Sequence, residues 1–329
     1  MDPSFRSAQR TLQGWAPDLP LQADGGAPLE TLGRVVEPPR LLAAPVVEDS
    51  ALRARPVGGE PEVGFLAFLD GIQRSRVLAY HDGLPVVFGV VAAVIRLRVN
   101  RRLHSWTGGP LVERRIYLPL AYLPSELAAH FRAAGLDVVD TTAVGPDQAI
   151  PIRHPLALLD RAIHLVQEDR EGAEQTLAER WCNAERAPIF IDGGLNKSEL
   201  VARSPNAVGV VKSHRTLYVE GDALDQVFRL RGGERSSVFR IPSSRRTPVA
   251  SWYLRLRDPA GHDPLFGLVR VEAADAELAG ESLPALTARA DRLSRWILAE
   301  SSPLSLPDGR WDRMVYGIRD CEEYLRAVI

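Results

Sequence analysis

Apolar residues in this chain gather in short runs that end on aspartate or glycine. Ile189-Phe-Ile191, bounded by Pro188 and Gly193, shows no polar side, which predicts a strand buried on both faces with Asp192 at its mouth. Val63 to Leu69 repeats the arrangement and ends on Asp70-Gly71. Arg76–Tyr80, an Asp82-Gly83 turn and a long run from Leu84 to Val99 come next, and Asp-Gly between two strand-like runs signals a hairpin. The expected order is strand, hairpin, long third strand, all antiparallel, with Asp70 near the end of the first. A strand at Arg115–Pro119 and a short helix over Ser125–Gly135 follow, with Ser125 as N-cap and Gly135 as stop. Val138-Val139 begins a connector.

Pro155 to about Ala184 carries the longest helical pattern, with Leu159, Ile163, Val166, Arg170, Ala173, Leu177 and Trp181 on one stripe. Glu174 stands at the inward edge of that stripe; Glu171 and Glu179 lie further round and Glu168 towards the polar side. Beyond Asp192 the runs Ala207–His214, Arg215–Val219, Ser237–Ile241, Ala250–Leu256 and Pro264–Glu272 read as strands. Lys212 would emerge at the same sheet end as Asp192 if their strands are neighbours. Leu283–Ala299 reads as a helix, and 312–329 as strand, break and helix, with Asp320 as N-cap or as a fourth site carboxylate. Residues 1–60, rich in Pro, Gly and Ala, read as an extended or partner-ordered arm with a candidate short helix at Leu29–Val36. Residues 61–329 form the domain.

Composition changes this picture little. A chain of 329 residues, 45% hydrophobic and 25% charged, has the makings of an ordinary globular core. The net charge of −2 announces no global basic field, although local acid and local base cancel in such a sum. Cys182 and Cys321, without a CxxC pair or a Cys/His cluster, point to a reducing compartment and away from structural zinc. The first residues lack the pattern of a signal peptide, and the longest apolar stretch carries a proline and is too short to span a bilayer. The expectation is a cytoplasmic protein with no membrane attachment.

The candidate chemistry follows from the aspartates. A carboxylate at the mouth of a buried strand loses hydration, and a divalent cation is one compensation that also gives it work to do. Two such residues far apart in sequence would let neighbouring strands hold metal between them; the other reading of each is the start of an Asp-Gly turn. Glu174 is a candidate third ligand or a solvated helix residue. Lysine occurs only at Lys197 and Lys212 in an otherwise arginine-rich chain. Lys212 would hold a phosphate oxygen or pair with a nearby aspartate, and both readings put it beside Asp192. The segment 229–257 is dense in arginine, with Glu234 as its single acid. Arg240, Arg245, Arg246 and Arg255, with Trp252 interleaved, read as a DNA groove or as a charged strand edge.

An antiparallel opening with Asp on its first strand, a helical layer and then a core strand ending in Asp is the order of a ribonuclease H-like core. Two-metal phosphodiester chemistry explains why such a core collects carboxylates: paired cations activate water on one side and stabilise the leaving oxygen on the other. In Phe68-Leu-Asp-Gly71, the acidic helix before Ile189–Leu195, Gly209-Val-Val-Lys212, Trp252–Leu256 and Gly267–Glu272, the chain resembles the NurA nucleases. The resemblance covers about residues 60–329. It implies an α/β, ribonuclease H-like and Piwi-related mixed sheet flanked by helices, and a Mn2+- or Mg2+-dependent deoxyribonuclease, with two ions held by Asp70, Asp192 and Glu174. Lys212 falls at the family's basic strand position. The expected partners are DNA, a second copy of the chain and a HerA-type hexameric ATPase, in end processing or antiviral defence. Ile72 and Gly194 stand where the family carries serine, and the C-terminal histidine is missing from 316–325. The alternative is therefore a NurA-like DNA-binding or scaffold subunit with weak or no chemistry.

Overall fold

A computed structural model of the protein describes residues 3–15, 38–143, 150–241, 247–277, 280–302 and 311–329. In chain order these form α1 (Pro3–Trp15), β1 (Arg40–Leu41), β2 (Ala54–Pro56), β3 (Ala67–His81), β4 (Leu84–Val99), β5 (Arg102–Ser105), β6 (Leu111–Leu118), α2 (Ser125–Ala133) and β7 (Asp137–Asp140). Then come α3 (Pro155–Ala184), β8 (Ile189–Asp192), α4 (Glu199–Arg203), β9 (Ala207–Val211), β10 (Thr216–Leu217) and α5 (Gly221–Phe228). The last elements are β11 (Glu234–Ser236), β12 (Phe239–Ile241), β13 (Val249–Arg255), β14 (Leu268–Ala274), α6 (Leu283–Glu300) and α7 (Tyr316–Val328).

Twelve strands make one mixed sheet, whose main path runs β2-β11-β13-β14-β9-β8-β3-β4-β6-β7. Its middle, β6-β4-β3-β8-β9, has β4 antiparallel to its neighbours and β8 parallel to both β3 and β9. That is the ribonuclease H-like order expected from the sequence, and helices cover both faces of it. Alternation divides the core: Ala67, Leu69, Ile189 and Ile191 face α3, while Phe68, Phe190 and Val208 face α6 and α7. β4 is buried from Leu84 through Ile95, which accounts for its continuous apolar run.

Several expectations change. The runs at 63–71, from Ala67 on, and at 76–80 belong to one fifteen-residue strand, so Asp70-Gly71 is not a turn, and β6 is the third strand of the opening. The polar stretch Gln73–Arg76 is tolerated because beyond Leu69 the strand pairs with β4 alone. Residues 3–15 are not extended: Phe5, Ala8 and Leu12 recur at helical spacing and are buried against β4, β6 and α2. The candidate helix at Leu29–Val36 lies outside the described residues. Ser125 is the first helical residue and Pro124 the cap, whereas Gly135 ends the segment with φ +76° as expected. Trp311–Arg313 is a 3-10 turn where a strand was expected. Among the described residues no helix is long and apolar enough to cross a membrane.

α7 is seated on β3 by a missing side chain. A Cβ at Gly317 would stand 2.3 Å from the ring of Phe68, which is fully buried, and one turn later the Cys321 thiol donates to the Phe68 carbonyl at 3.4 Å. Gly317→Ala should therefore force helix and strand apart and destabilise the fold by about 1–3 kcal/mol. A urea unfolding midpoint unchanged from wild type would contradict this packing.

Candidate metal and nuclease site

The parallel pairing of β3 with β8 sets the site. Leu69 is in register with Ile191, so the next residues, Asp70 and Asp192, leave neighbouring strands side by side. β9 pairs with β8 on its other side, and Lys212, just past the end of β9, donates from Nζ to Asp192 Oδ2 at 2.9 Å. The expectation that Lys212 shares a sheet end with Asp192 is met by this contact.

Glu174 arrives from α3. A Cβ on Gly71 would lie 2.5 Å from Glu174 Oε1, so the glycine after Asp70 serves a close approach of helix to strand where the sequence suggested a turn. Arg170, one turn earlier, pairs with Glu174 and also donates from Nε to Gln73 Oε1 at 3.2 Å. Glu171 pairs with Lys197 and lies 3.6 Å from Arg170. Of the two helical glutamates the structure thus brings Glu174, with Arg170 attached, to the aspartates.

Asp70 is 5% exposed, and its Oδ1 accepts from the Gly71 N–H at 2.8 Å. Burial, followed by the charges of Asp192 and Glu174, holds its carboxyl well above the usual range, against the opposing pull of Lys212. Glu174 is pushed up to about 7, first by burial, with Arg170 working against the shift. These are carboxylates crowded beyond what the chain's own cations relieve. Hard oxygen donors of this kind suit Mg2+ or Mn2+. Among the described residues, however, no group of three or more His, Cys, Asp or Glu side chains stands ready-made around one point. Lys212 and Arg170 occupy contacts on two of the three acids, so a cation entering here would displace or share them.

The site opens into a cleft of about 760 Å³ lined by Asp70, Asp192 and Lys212. A fourth acid in its wall is Glu322, on α7 and 6% exposed, whose charge also bears on Asp70. Asp320, the residue nominated from sequence, lies inside the helix away from its start and pairs with Arg96 Nε at 2.5 Å. The helical spacing Gly317, Cys321 and Leu325, small and apolar towards β3, is the signal that would have put Glu322 beside that face. Arg170 had a signal too, as a charge in the middle of an apolar stripe.

The basic segment is corrected. Trp252 is 1% exposed, with its indole N–H donating to Ser294 Oγ at 3.0 Å, and Arg255 is fully buried, donating to main-chain carbonyls including Leu230 and Phe266. Neither has surface to offer DNA. Arg240 is half-buried and paired with Asp275 at 3.0 Å and Glu277 at 2.7 Å. Arg245 and Arg246 lie outside the described residues. Local arginine density here reflects guanidinium groups whose fork of donors is satisfied by carbonyls and acids.

No family model matches the chain, and no curated protein matches it. Among solved structures, the crystal structure of the NurA nuclease from Sulfolobus solfataricus is similar, with a TM-score of 0.42 and 11% sequence identity over 86% of this chain and 81% of that one.

Crowding of like charges is a stability cost. A carboxyl whose folded pKa is raised contributes most below its unfolded pKa and loses that contribution as pH rises through the folded value. Asp70→Asn, which keeps the acceptor for Gly71, should stabilise the chelated protein at pH 8 and do so less at pH 5. Thermal melts at the two pH values measure it, and a variant less stable at pH 8 than wild type would contradict the crowding.

Proposed function

We infer that the protein is a metal-dependent nuclease acting on DNA. The observation that carries this reading is the buried carboxylate of Asp70 set beside Asp192 on the neighbouring strand, both lining an open cleft, with Glu174 brought in from helix α3. Asp70, Asp192 and Glu174 would hold Mn2+ or Mg2+, two ions in the fullest form, and such ions supply an activated water and charge stabilisation at a phosphodiester. Lys212 lines the cleft with its ammonium on Asp192, where a phosphate oxygen can take over that contact. Its compact charge can serve either partner. Arg170 keeps Glu174 oriented along α3.

A second reading has its own support. Lys212 on Asp192 and Arg170 on Glu174 already neutralise two of the three acids, which suits a subunit that binds DNA and leaves the chemistry weak. In either form the chain carries no Walker A loop, so ATP-driven movement along DNA would come from a separate hexameric ATPase of the HerA type, engaged by a dimer of this chain.

Incubation of the purified chain with single- and double-stranded DNA separates the two readings. The nuclease reading expects cleavage with Mn2+ or Mg2+, none with chelator, and a loss of at least about 100-fold on Asp192→Asn, the scale of removing one electrostatic stabiliser. DNA bound but uncut under every metal condition would favour the scaffold.

A further inference from the structure

The cleft does more than expose the acids: its basic side chains stand on either side of them. β3 alternates, so Asp70, Ile72 and Arg74 leave the same face, and all three line the cleft. Arg74 is exposed and donates to a main-chain oxygen of Ile329 at 2.6 Å. Arg326, on the last turn of α7 before Ile329, also lines the cleft and is exposed, with one contact to Glu322 at 2.8 Å. Across the sheet, the sequence of strands β9-β8-β3 puts Lys212 beyond Asp192 and Asp192 beside Asp70. There the Arg313 guanidinium donates to the Lys212 carbonyl at 3.2 Å and reaches the same cleft. Across the strands from Lys212 to Asp70 and then along β3 to Arg74, the order is therefore cation, acid, acid, cation. Among its described lining residues there is no aromatic ring on which a base could stack.

We propose that this line is a phosphate track: Lys212 and Arg313 hold the DNA backbone on one side of the carboxylates, and Arg74 and Arg326 hold it on the other. The track rests on the nuclease reading for its direction through the acids, but not for its binding. Four residues of strand separate Asp70 from Arg74, about 13 Å, more than one phosphate-to-phosphate step along a nucleic-acid backbone. The scissile phosphate would sit over Asp70 and Asp192, with Arg74 gripping the backbone a few nucleotides away. Recognition of this kind is by charge, so it falls with salt and is indifferent to base sequence.

The test is binding of fluorescein-labelled DNA to the full chain in chelator, where no cutting interferes, across a series of salt concentrations. Arg74→Ala should lower the slope of log affinity against log salt by about one. Arg74→Lys should restore it, and Arg74→Glu should weaken binding further. All three should melt within a few degrees of wild type, because Arg74 is exposed and makes a single surface contact. Affinities for mixed-sequence, oligo-dA and oligo-dT strands should agree within severalfold. A wild-type slope in Arg74→Ala, a strong base preference, or a wild-type chain that does not bind DNA would overturn the track. Failure of the nuclease reading shows instead as absent cleavage by a wild-type chain that still binds.

Discussion

The site depends on one repulsion that the fold does not let relax. Parallel pairing of β3 with β8 fixes Asp70 next to Asp192, and Gly71 lets Glu174 close in from the other face of the sheet. Three carboxylates are thereby held nearer one another than solvation alone would tolerate, one of them 5% exposed. The chain answers only in part, with Lys212 on Asp192 and Arg170 on Glu174. Carboxyls perturbed in this way by burial and neighbouring acids gather at functional sites.

The surrounding architecture serves that crowding. β4 is buried along most of its length and backs β3, so the strand carrying Asp70 cannot retreat. α7 lies close on Phe68 because Gly317 has no side chain, and this brings Glu322 to the cleft wall. The turn after Asp192 is held from a third direction: the Leu195 N–H donates to the buried Glu272 Oε2 at 2.7 Å, and Glu272 is paired with Arg270. Gly193, with φ +136°, makes the bend, and its N–H returns to the Val210 carbonyl at 3.0 Å. Acid, glycine and neighbouring strand thus act together.

Much of the core was legible in the sequence because its signals are local. Ile189–Asp192 reads as a buried strand, Pro155–Ala184 as one helix with the stripe it buries, and Asp82-Gly83 as the hairpin turn, and all three stand in the structure. What escaped depends on partners distant in sequence. β3 looked like two strands because Gln73–Arg76 is polar, yet an edge that faces a cleft needs no apolar residues. The arginine-dense segment 229–257 looked like a DNA groove. Arg235 instead lies between Glu48, at 2.7 Å, and Asp291, at 2.6 Å, and Arg255 is wrapped by carbonyls. Glu322 was overshadowed by Asp320, two residues earlier, since only the seating of α7 decides which of them turns inward.

The most direct examination of a cation between Asp70 and Asp192 is a crystal of the full chain soaked in Mn2+, with anomalous scattering collected at the manganese edge. Peaks within coordination distance of both aspartate carboxylates, with the Lys212 ammonium moved off Asp192, are expected. Ordered aspartates with no anomalous peak between them, and Lys212 still bonded to Asp192 at saturating Mn2+, would contradict the metal site.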